Sequence, residues 1–144
     1  LKLAENFETR LRSWVKLRDS LAELDTQVVC TAVNRWWFQR PWRPYRLHWD
    51  DRPTWPDPWA LLEETAFCDL ARGLGIMYTI TMLDRDDLQD CVLYEDQTHN
   101  LVLVRAGKYI LNYSSDDILN TCLETDKSKI RRAVTQAELK RQIN

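Results

Sequence analysis

Long apolar runs are missing from this chain. Nothing in it approaches the roughly 18 residues that a helix needs to cross a bilayer, and the opening LKLAENFETRLRSW has no signal-peptide core. No membrane association is expected, and a cytoplasmic location is. Histidine is scarce, with only His48 and His99, and the four cysteines, Cys30, Cys68, Cys91 and Cys122, form no C-x-x-C pair. That spacing argues against a structural zinc site, so no metal is expected, and no cofactor either. In a chain that is 44% hydrophobic, the thiols read as reduced and mostly buried rather than as a disulfide framework. An excess of one charge is missing too. The 20 basic side chains stand against 22 acidic ones, which gives no sign of a nucleic-acid protein.

What is present begins with an amphipathic helix. With Leu3 at heptad position d, Phe7, Trp14, Leu21 and Val28 fall at a, and Arg10, Leu17 and Leu24 at d. Only Arg10 breaks this narrow stripe. It suits one partner helix, or the body of the same chain. Residues 1–33 are assigned to this helix, with an end between Asp25 and Asn34.

Residues 34–56 follow as a Trp/Pro-rich connector. The stretch from Asn34 to Trp59 holds six of the seven tryptophans and all five prolines, which rule out a long helix or a central strand. Interleaved Arg and Trp would also serve a single-stranded nucleic-acid platform. The surrounding sequence carries no nucleic-acid motif, however, and these residues suit a protein interface at least as well.

Residues 57–122 read as the core. Asp57 and Pro58 start a helix whose Leu62, Ala66, Leu70 and Leu74 share a face, and Gly73 and Gly75 are expected to end it. The β-branched run Ile76 to Leu83 reads as a buried strand. Two further strands start at Cys91 and Leu101, and a hairpin at Ala106–Gly107 leads to one over Lys108 to Tyr113. A short helix is expected from Ser114 by a capping box with Asp117. Residues 123–144 form a basic, exposed tail of helical propensity, with a second box in Thr135 and Glu138. The fold class is α+β: a long N-terminal helix, an extended connector, a helix on a mostly antiparallel sheet of about four strands, and a helical tail.

The segments ARGLGIMYTI, THNLVLV and GKYILNY resemble the core of transglutaminase-like and papain-like cysteine enzymes, over about residues 57–115. The resemblance implies Cys68 as nucleophile, His99 as proton acceptor and Asn112 as the residue that orients the histidine. In such enzymes the cysteine occupies the first turn of the helix, where free amides favour the thiolate and hold the oxyanion. A helix starting at Pro58 sets Cys68 about three turns along instead. The core therefore reads as a degenerate version of that fold. The motifs W-P-D-P-W-x-L-L, F-C-D-L-A-R-x-L-G-I and K-Y-I-L-N-Y together resemble small virion-associated proteins of contractile-tailed phages, which implies a structural role in a tail, neck or baseplate.

The expected function is accordingly non-catalytic assembly with other protein subunits, further copies of the chain included, with no small-molecule substrate. In a phage the location would finally be the virion. The interface is assigned to Leu3, Phe7, Trp14, Leu17, Leu21, Leu24, Trp36, Trp37, Trp42, Trp49 and Trp55. The first alternative is a cysteine acyl-transfer enzyme or amidase using Cys68, His99 and Asn112. Single-stranded nucleic-acid binding is the second.

Overall fold

The computed structural model describes residues 6–44, 47–95, 99–105, 107–115, 118–120 and 131–143. Leu3, Cys122 and Asp117 lie outside them. The architecture is α+β: helices gathered around one central helix, an antiparallel sheet, and a C-terminal helix.

The N-terminal region forms two helices rather than one. Helix α1 spans Phe7–Leu21, and Asn6 caps it by accepting from the Thr9 amide at 2.8 Å. Its last carbonyls turn elsewhere: Leu21 O accepts from the Arg85 guanidinium at 2.9 Å. Asp25 then captures the Gln27 amide and restarts the chain as α2, Thr26–Phe38. Trp36 and Trp37 therefore belong to a helix and not to a connector. The α1 stripe faces this chain's own body: Trp14 and Leu21 are buried, and Phe7, Leu11 and Leu17 pack against the same core. Arg10, the apparent flaw in the heptads, is buried and its Nε donates to Leu62 O. Leu24 and Val28 are exposed.

After α2 the chain wraps the body as a strap. Trp42 bridges Phe67 in parallel, with Phe67 N donating to Pro41 O at 3.0 Å and Arg43 N to Phe67 O at 2.9 Å. A tight turn at Trp49–Thr54 follows. Trp49 and Trp55 are buried edge to face, their ring centroids 5.3 Å apart. Their indoles are satisfied within the chain, Trp49 by Asn100 Oδ1 and Trp55 by His48 O. They are core residues, unlike Trp42, which is 64% exposed.

The expected core helix is divided in two. Asp57 caps α3 as anticipated, accepting from the Ala60 amide, but α3 runs only over Pro58–Glu63. The strap bridge holds Phe67 in extended form. A second helix, α4, starts at Asp69 with Cys68 as its N-cap and continues to Leu83, through both glycines and the run read as a strand. Every residue from Leu70 to Thr81 is buried. A helix buried on all sides has no polar face, and its sequence is then hard to distinguish from a buried strand. The glycines do not end the helix; they let neighbours approach it. A Cβ at Gly75 would lie 2.5 Å from the Trp37 ring, and one at Gly73 would lie 2.8 Å from Leu93 Cδ1 and 3.2 Å from Asn112 Nδ2. Termination falls instead to Asp84, in the left-handed region at φ 50°.

The sheet comprises β1 (Val92–Glu95), β2 (Asn100–Val104), β3 (Tyr109–Leu111), β4 (Leu119–Asn120) and β5 (Arg132–Thr135). The order is β4-β3-β2-β1-β5, with every neighbour antiparallel. The β2–β3 hairpin turns at Arg105 and Gly107, both at positive φ. Where the sequence suggested a short helix from Ser114, Leu119–Asn120 pairs with β3. The tail is not simply exposed: β5 lies along β1 and buries Val134. Helix α5 (Gln136–Ile143) buries Leu139, and Thr135 and Glu138 make the expected box.

Two substitutions test this packing. Thr79 Oγ1 accepts from both the Trp14 and Trp37 indoles and donates to Gly75 O. Thr79→Val would leave two buried N–H groups unpaired and is expected to cost roughly 2 to 5 kcal/mol in urea unfolding. Wild-type stability in that variant would contradict the account. Alanine in place of an open-helix glycine normally stabilises by ~0.5–1 kcal/mol. Gly75→Ala is expected to do the opposite, losing about 1–3 kcal/mol through the clash with Trp37.

Candidate functional site

Cys68 owes its place to the strap. Because Phe67 is drawn into the bridge with Pro41 and Arg43, the next residue has the extended backbone of an N-cap, φ −74° and ψ 170°. Its Sγ accepts from the Ala71 amide at 3.4 Å. This overturns the expectation that Cys68 sits three turns inside a helix. It stands where the amides of Asp69 and Leu70 have no acceptor within the helix, and where the positive end of the helix dipole lies.

A cleft of about 580 Å³ opens over this helix end, and Cys68, Asp69, His99 and Asn100 all line it. His99 immediately precedes β2, is exposed, and tilts toward Tyr113 with ring centroids 6.3 Å apart. His48, Trp42, Leu47 and Trp49 supply the wall contributed by the strap. The structure therefore brings Cys68 and His99 to one cavity.

Asn112 is placed differently from its expected role. It is buried just beyond β3, at φ 66°, and its side chain does not serve the imidazole. Its Nδ2 donates to Asn100 O at 2.7 Å and to Asp69 O at 2.9 Å, while Oδ1 accepts from Arg72 Nε at 2.7 Å. It thus fastens the residue after Cys68 to the residue after His99. Asp69 makes the same link from the other side, its carboxylate accepting from the Asn100 backbone N–H at 2.7 Å and from Arg72 at 3.2 Å. Asn34 on α2 completes the knot by accepting from the Asn112 amide at 2.8 Å.

Asp69, Asn100 and Asn34 were missed by sequence reasoning, since nothing local marks a polar residue as part of a buried network. Arg72, one turn from Cys68, is engaged with Asp69 and Asn112 and stacks 3.8 Å from the Phe38 ring centroid. Burial and the Asp69 charge oppose each other there, and burial prevails, lowering the guanidinium pKa from its usual value.

The other two described thiols, Cys30 and Cys91, are enclosed in the core. Burial, reinforced by nearby Asp87, pushes Cys30 up to about 12. Burial, with Cys30, Asp90 and Asp87 close by, pushes Cys91 up to about 12. Among the described residues no group of three His, Cys, Asp or Glu side chains is arranged to hold a metal ion. No protein-family model, curated protein or solved structure matches the chain.

Cys30 and Cys91 are enclosed in the core, where burial also raises their pKa, whereas Cys68 lines the cleft and can be reached from it. Iodoacetamide on the folded protein near neutral pH is expected to label Cys68 and spare Cys30 and Cys91, as read by peptide mass spectrometry. Labelling of Cys30 or Cys91 ahead of Cys68 would contradict this environment.

Proposed function

We propose that this chain is a cysteine-dependent acyl-transfer enzyme, an amidase or transferase acting on peptide-type amides. One observation carries the reading: Cys68 caps a fifteen-residue buried helix at a cleft that His99 also lines. In the proposed reaction His99 takes the Cys68 proton as Sγ bonds to the substrate carbonyl carbon. The oxyanion forms beside the free amides of the first turn of α4. Protonated His99 then gives its proton to the leaving nitrogen as the C–N bond breaks, leaving a thioester. Water or an amine attacks that thioester, passes a proton to His99 and releases the acyl group as the C–S bond breaks. Asn112 and Asp69 act as positioning residues, because each ties the backbone beside the nucleophile to the backbone beside the base.

The placement of Cys68 also strengthens the resemblance to transglutaminase-like and papain-like enzymes at the point where the sequence alone weakened it. Assembly with other subunits has fewer residues to draw on. Trp14, Leu21, Trp37, Trp49 and Trp55 are buried in this chain's own core, and the large apolar side chains left exposed among the described residues are Val15, Leu24, Val28, Trp42, Trp59 and Tyr113.

The test is turnover of fluorogenic peptide amides, with a peptidyl vinyl sulfone as a covalent probe. Cys68→Ala is expected to abolish both turnover and labelling, and His99→Ala to lower turnover by roughly 10²- to 10⁴-fold. Turnover that persists in Cys68→Ala, or labelling indifferent to His99→Ala, would refute the assignment.

A further inference from the structure

The charges around the cleft are unevenly committed. Arg132 meets Asp50 at 2.8 Å and Glu95 at 3.9 Å. Asp69 is held by Arg72 and Asn100. Arg131 also lines the cleft and is exposed, and its backbone N–H donates to Glu95 O at 2.8 Å. No described carboxylate lies within ion-pair distance of its guanidinium.

Position adds a direction to this. Arg131 precedes β5, on the opposite edge of β1 from β2, so β1 separates it from the strand that His99 precedes, and both residues line the cleft. Trp42, bridged to Phe67, sits on the side that carries the thiol, and presents an indole that is 64% exposed. A substrate lying across the thiol would meet an indole wall at Trp42 and, in the same cleft, a guanidinium with no ion-pair partner among the described residues. Guanidinium groups bind carboxylates in bidentate fashion.

We propose that Arg131 selects acyl donors bearing a carboxylate, so that the substrate class is an acidic peptide seated against Trp42. This rests on the acyl-transfer reading above, and deepens it by naming what the cleft accepts. Asp50 and Glu95 share Arg132, so the cleft is not cationic as a whole. Selection therefore depends on where the carboxylate falls, not on net charge.

The experiment uses three N-acetylated peptide coumaryl amides that differ only in Glu, Gln or Lys at one position. In the Cys68→Ala protein, calorimetric titration is expected to show the Glu peptide binding roughly tenfold more tightly than the Lys peptide. Arg131→Gln should remove that preference and Arg131→Glu reverse it. With the native thiol, the Glu-to-Gln ratio of kcat/KM should fall in Arg131→Gln through KM rather than kcat. Failure of any peptide to bind, or a charge preference that survives Arg131→Gln, overturns the proposal. Because binding is read without turnover, that outcome is separable from failure of the catalytic reading, which would show as turnover persisting in Cys68→Ala.

Discussion

The fold depends on one buried hydroxyl. Thr79 Oγ1 accepts the Trp14 indole at 2.9 Å and the Trp37 indole at 2.8 Å, and donates to Gly75 O at 2.8 Å. A hydroxyl has one proton and two lone pairs, so all of its capacity is used. Two of the largest side chains in the protein, from two different helices, are thereby fixed on the same turn of α4. Trp37 can reach that turn only because Gly75 presents no side chain to it. The amphipathic stripe of α1 is committed to this chain for the same reason, since Trp14 cannot serve Thr79 and a partner helix at once.

Fixing the middle of α4 fixes its ends. At the C-terminal end the chain turns through Asp84 toward the sheet. At the N-terminal end, packing passes from apolar to polar, from Trp37 against Gly75 to the knot of Asp69, Arg72, Asn100 and Asn112. Buried polar networks of this kind are costly when incomplete and specify one geometry when satisfied. Here the network joins the residue after Cys68 to the residue after His99. The proposed nucleophile and base inherit their relation from neighbours that do no chemistry.

Much of this was legible in the sequence, and the failures share a cause. Asp57 as a cap, the hairpin at Gly107, the box of Thr135 and Glu138, and the α+β plan all rest on local chemistry, and the structure contains them. His99 ahead of a strand and Asn112 at the end of one are also where the sequence put them. The break between α3 and α4 has no local mark, for Glu64 to Phe67 contain neither glycine nor proline. It comes from Pro41 and Arg43, more than twenty positions earlier. Gly73 and Gly75 look like terminators because glycine usually is one near a helix end, yet they answer to Trp37, Leu93 and Asn112. Misplacing one helix start put Cys68 three turns deep, where the structure has it as an N-cap.

The tryptophan-rich strap has a place in this geometry that composition alone does not reveal. Its bridge to Phe67 sets the start of α4, its Trp49 and Trp55 are buried in the core with Trp49 bonded to Asn100 of β2, and its Trp42 and Leu47 wall the cleft. The segment that puts Cys68 at a helix terminus thus also limits water around it: Cys68 is only 6% exposed although it lines the cavity. Helix amides and a nearby imidazole act more strongly on developing charge where indoles replace solvent. Of the aromatic residues that looked like an interface for other proteins, Trp49 and Trp55 are buried in this chain's core, and Trp42 and Trp49 line the cleft at this helix end.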